Sequence, residues 1–168
     1  MFKLSRQVCK IAHVNLREEK HGEESVTAID LKLQASLSND FLSYLSPTLK
    51  GSLYGKPDGS VQGTLVHDNP GYMPRLLYPE LPMLGWAGEM VKAQVVLHGA
   101  KKSQALVLEA TVNKLKLEPM DGGTVIITFR VQVVPESAVL GKLAGMLGME
   151  LKVTVVGADE ELVTGDAG

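Results

Sequence analysis

The chain has 168 residues, 45% hydrophobic and 21% charged, with a formal net charge of −2. That length supports a buried core without disulfides or metal, and the composition excludes a low-complexity or disordered chain. No apolar run reaches membrane-spanning length, the lone Cys9 excludes an intrachain disulfide, and Met1–Gln7 lack the apolar core of a signal peptide, so a cytoplasmic location is expected.

The charge is unevenly spread. Residues 89–134 carry six basic and four acidic groups, whereas residues 135–168 carry two and six. The expected organisation is one strand-dominated domain over residues 1–157, followed by an acidic, disordered tail over 158–168.

In Lys10–Glu18, Ala12, Val14 and Leu16 alternate with His13, Asn15 and Arg17, the period of a half-buried strand. Ser25–Ala35 repeats the pattern with Thr27, Ile29, Leu31 and Leu33 inward. A polar turn of about six residues, Glu19–Glu24, joins the two as a hairpin. Ser38-Asn39-Asp40 is a helix start, because these side chains accept from orphan backbone N–H groups. Phe41, Leu42, Leu45 and Leu49 keep helical spacing, and Pro47 divides it into a short helix or two.

Lys56-Pro57-Asp58-Gly59 signals a turn between Ser52–Tyr54 and a strand at Val61–Val66. Asp68–Leu84 then holds four prolines and excludes long regular elements. It also holds Tyr72, Met73, Leu76, Leu77 and Tyr78, with Trp86 just beyond. This passage is too apolar for a solvated linker. It either packs over an opening in the core or presents a partner surface through those six residues.

Three antiparallel strands follow, at Glu89–His98, Gln104–Leu117 and Thr124–Val134. The middle one changes phase: Leu106, Leu108, Ala110 and Val112 are even-numbered, whereas Leu115 and Leu117 are odd. A one-residue β-bulge at Asn113–Lys114 repairs this. It takes the pairing from 112 with 129 to 115 with 127. Pro135–Leu147 reads as a helix weakened by Gly141 and Gly145, packed tightly on the sheet or used for self-association. Met149–Val156 is a final strand. The expected fold class is mainly β (α+β): antiparallel strands in a meander or sandwich-like sheet, with two or three short helices.

No motif for chemistry stands out. The four histidines have no metal-ligand spacing, and phosphate-loop, dinucleotide and nucleophile-elbow patterns are absent. No enzyme activity, metal or cofactor is expected. Basic residues of the three central strands offer a polyanion surface: Lys101 and Lys102 tip one hairpin, Lys114 and Lys116 project together beyond the bulge, and Lys92 and Arg130 share polar faces. Aromatic residues for base stacking are only 5% of the chain.

Asn15-Leu16-Arg17-Glu18-Glu19-Lys20-His21-Gly22-Glu23-Glu24, followed by Ala28–Lys32, resembles the opening of small phage and prophage proteins, mostly labelled hypothetical. Leu115–Pro119 with Gly122-Gly123 resembles their central part, and the resemblance spans Lys10 to Val155. It implies the cytoplasm of a bacterial host and a setting near replication, recombination or host-takeover genes. It carries over no catalytic residue. The leading expectation is a non-catalytic phage or prophage binding protein acting on single-stranded DNA or a DNA-processing complex. The alternatives are an anti-defence inhibitor, for example of a CRISPR effector, working by protein–protein contact with a host or phage protein, and a structural homo-oligomer.

Overall fold

A computed structural model describes residues 1–58 and 70–160, the side chain of Lys102 excepted. The expected strand at Val61–Val66, residues Gly59 and His67-Asp68, and most of the acidic tail lie outside the described residues.

β1 (Leu4–His21) and β2 (Glu24–Ser38) form a long hairpin. Its turn is two residues, Gly22-Glu23, rather than about six: His21 pairs with Glu24, and Gly22 takes a φ of +69°. Glycine adopts this positive φ without steric cost, so the polar run Glu18–His21 stays on the ribbon. β2 pairs with its next neighbour only from Ile29 onward, so residues before it project with β1 as a two-stranded ribbon.

At the other end of β2 the chain turns through a 3-10 segment (Asn39–Phe41), α1 (Leu42–Leu45) and α2 (Leu49–Leu53). Ser38 caps as its residue type requires, its Oγ accepting the Asp40 N–H at 3.2 Å. Past Pro47, the Ser46 Oγ accepts the Thr48 N–H at 3.3 Å.

β3 (Tyr54–Gly55) pairs with β4 (Arg75–Leu76) in a separate two-stranded sheet. Among the described residues 70–83 of the proline-rich passage, β4 is the one regular element. The passage is stitched to its surroundings. Asn39 Nδ2 donates to the Met73 carbonyl at 2.8 Å, the Leu77 N–H to Leu53 at 3.0 Å, and the Leu76 N–H to Asp121 Oδ1 at 3.1 Å. Buried Tyr54 anchors this end, donating its hydroxyl to the Met120 carbonyl at 2.8 Å. Part of the segment covers the core, with Met73 and Leu76 packed against it, while Tyr72, Tyr78, Leu81 and Met83 stay exposed.

β5 (Leu84–His98), β6 (Leu106–Pro119) and β7 (Thr124–Val133) are the expected meander. The expected bulge is present between Asn113 and Lys116, with Lys114 at φ +52°. Register moves by the expected single residue, but the pairing is offset by two: Leu117 faces Ile127 and Val112 faces Val131. The apex sits at Gly122-Gly123, whose φ values of +101° and +95° suit glycine, so the turn centre moves toward β7.

α3 (Ser137–Ala144) is shorter than the expected Pro135–Leu147 and packs on the core as expected, with Leu143 fully buried and Val139, Leu140 and Met146 against it. β8 (Glu150–Val156) pairs with β1 on one side and β5 on the other. The protein is therefore mostly antiparallel β with short helices, and five long strands and the shorter β8 close into a barrel in the order β1-β2-β7-β6-β5-β8. Closure is a long-range property of β8, which local alternation does not carry.

Inward side chains fill the barrel: Ile29, Leu31, Leu33, Leu97, Val112, Leu115, Leu117, Ile127, Phe129 and Val131 are essentially fully buried. Cys9 is among them, and burial pushes its thiol up to about 12, so at neutral pH it is a small apolar core residue and not a thiolate. No helix among the described residues is long and apolar enough to cross a membrane.

Candidate functional site

Strand alternation sends every second residue of β1, β2, β7 and β6 to the outer surface, where the register sets them side by side. His13 faces Lys32, Lys32 faces Arg130, and Arg130 faces Asn113, one rung across four strands. A neighbouring rung sets Thr128 opposite Lys116. Lys114 enters the same region from the bulge. Together His13, Lys32, Lys114, Lys116 and Arg130 line a groove of about 260 Å³, with Asn15 and Asp30 also in its lining.

Lys32 directly opposite Arg130 is a like-charge cross-strand pair, which costs stability rather than adding it. None of Lys32, Lys114, Lys116 and Arg130 makes an ion pair among the described residues. The one acidic side chain in the lining, among the described residues, is already engaged: Asp30, only 8% exposed, accepts from Arg17 Nε at 2.9 Å and from Gln132 Nε2 at 3.3 Å. The Asp30 hydrogen bond is also the main reason the Arg17 guanidinium holds its proton more tightly than usual, against some desolvation. The groove is thus left with excess positive charge.

A ridge of side-chain hydrogen bonds bounds it. From Asp30 the ridge passes through Gln132 to Asn113, whose Nδ2 donates to Gln132 Oε1 at 3.0 Å and to Glu89 Oε2 at 3.2 Å. Asn113 Oδ1 accepts from Arg130 Nε at 3.0 Å, which fixes that guanidinium over the groove. At the other end Arg17 donates to Glu19 at 2.9 Å, and Glu19 meets His21 at 3.0 Å. These side chains are satisfied by one another and hold the charged groove rigid.

Lys114 has a left-handed backbone with a side chain that such a conformation disfavours, at a cost of about 1 kcal/mol relative to glycine. Lys114→Gly is therefore expected to raise the urea midpoint modestly while weakening polyanion binding several-fold. A variant that loses stability would show that the lysine side chain is a structural support.

The structure brings together three of the expected basic residues, Lys114, Lys116 and Arg130. Lys92 lines a separate depression of about 370 Å³ with Arg17, Glu19 and Glu109, where charges balance. Lys101 is in the β5–β6 connection, at the opposite end of β6 from Lys116, and Lys102 begins a short 3-10 turn beside it. Lys32 and His13 were missing from the expected set. Their outward phase on β1 and β2 is legible, but their approach to Arg130 depends on β2 lying beside β7.

Of the apolar passage, Tyr72 and Tyr78 are exposed, whereas Met73, Leu76, Leu77 and Trp86 are half-buried. Met73, Leu76 and Trp86 pack against the core. Among the described residues no group of three or more His, Cys, Asp or Glu is placed to hold a metal ion. No family model, no curated protein and no solved structure matches this chain.

Proposed function

We propose that this chain is a non-catalytic binding protein that takes up single-stranded DNA, alone or within a DNA-processing complex, along the outer face of β1, β2, β7 and β6. One observation carries the reading: Lys32, Lys114, Lys116 and Arg130 converge from three strands on a single groove without acidic partners there. Like charges held together against their own repulsion favour a polyanionic ligand, whose phosphates neutralise them. Among the described residues the groove's one ring besides His13 is Phe129, which is buried, so its contacts are to the phosphate backbone and carry little base preference. The resemblance to phage and prophage proteins supplies the setting.

The test is fluorescence polarisation of a labelled single-stranded oligonucleotide with the full chain at several salt concentrations. Neutralising about four phosphates of a single strand gives a log–log salt slope near −3. Absence of binding at low salt removes this reading. It would leave protein contact through the exposed Tyr72 and Tyr78 as the next to test, by capture with and without Trp86→Ala.

A further inference from the structure

A second cluster of basic groups lies on a different wall of the barrel. His98, near the end of β5, faces Lys152 of β8 directly across the ladder. Thr154, two residues along on the same outer face, holds His98 Nε2 at 2.8 Å from its hydroxyl, and that hydroxyl also accepts the Arg6 N–H at 3.2 Å. Arg6 stands in a bulge of β1 with φ +45°. It is one of three non-glycine residues at positive φ among the described residues, with Lys92 and Lys114, and all three are basic. Strain of this kind persists where the surrounding ladder imposes it, and it re-aims the side chain it carries.

We propose that Arg6, His98, Thr154 and Lys152 form a second anion site, which takes a phosphate group. The guanidinium and ammonium supply charge, the threonine hydroxyl fixes the imidazole, and His98 adds a further donor when it protonates. Of the carboxylates nearby, Glu160 pairs with Lys3 at 3.4 Å, and Glu150, on the same strand face, stands opposite Lys10 in the ladder. Burial first, then Arg6, then Lys152 lower the proton affinity of His98. A bound anion offsets the two cationic effects, so anion uptake and protonation of His98 reinforce each other. The phosphate is either free or a nucleic-acid phosphodiester, and the site is independent of the groove around Lys32.

The experiment is an NMR titration of the His98 ring in the labelled full chain, at matched ionic strength, in sodium chloride, in inorganic phosphate and with a single-stranded oligonucleotide. Either phosphate source is expected to raise the His98 midpoint by roughly half a unit or more over chloride, and the source that acts identifies the ligand. In Lys152→Ala the midpoint in chloride is expected to start higher and to respond less. A His98 midpoint that neither anion moves, or a shift undiminished in Lys152→Ala, overturns the proposal.

Discussion

Reversing Lys32 and Lys116 together to glutamate is expected to reduce oligonucleotide affinity by roughly two orders of magnitude at low salt, since each charged hydrogen bond to phosphate contributes about 1.5 kcal/mol. The salt slope is expected to flatten by about 0.7 for each phosphate that the variant no longer neutralises. Both side chains are exposed on outer rungs, so the core is untouched. Stability is expected to move the other way. Lys32 stands between His13 and Arg130, and a carboxylate there replaces a like-charge pair by an opposite-charge one, a gain of about 0.2–1 kcal/mol. Weaker binding in a protein that melts higher separates a ligand surface from a folding defect. The control is Lys142→Glu on α3, a single charge reversal of the same kind away from the groove. Equal weakening per reversed charge in the control would show that net charge alone drives binding.

Phe129→Ala is expected to cost about 3–5 kcal/mol, the range for removing a buried phenylalanine ring. The ring is 1% exposed and meets Phe2 edge-on at 5.4 Å. Phe2 meets Phe41 at 5.3 Å, and Phe41 meets Tyr44 at 5.9 Å. This aromatic chain ties the residues before β1, the 3-10 segment and α1 to the barrel interior. The measurement is urea unfolding, with a lower midpoint at unchanged slope if only stability changes. A reduced slope would mean that the 3-10 segment and α1 have come loose in the folded state. A loss under about 1 kcal/mol would show that the aromatic packing is incidental to the fold.

The strands of the central meander were legible because inward residues keep a period of two between bulges, without a break in β7 at Val125, Ile127, Phe129 and Val131. The bulge at Asn113–Lys114 was legible for the same reason, since a change of parity inside one strand has a single local explanation. Strand starts were hidden where bulges fall near an end. β1 begins at Leu4 rather than Lys10, because the irregularity between Leu4 and Gln7 breaks the alternation. β5 begins at Leu84 rather than Glu89, behind Gly85, Gly88 and two register shifts. The groove was half legible. Lys114, Lys116 and Arg130 lie on strands adjacent in sequence, so pairing them needs only a hairpin. Adding Lys32 and His13 needs the β2–β7 neighbourhood, set by packing between segments far apart in the chain. Lys101 and Lys102 were grouped with them on charge alone, and strand length carries them to the other end.

The short strand that seals the barrel also sets a constraint on the chain's birth. Lys10 pairs with Glu150, so the first strand waits for a partner that lies about 140 residues further along the chain. At roughly 5–20 residues per second, the edges of β1 and β5 stay open on the order of ten seconds. During that interval each is a template for strands of other nascent chains. Arg6, Lys10 and Lys92 stand along those two edges, and their charge keeps neighbouring copies apart until the seam is closed.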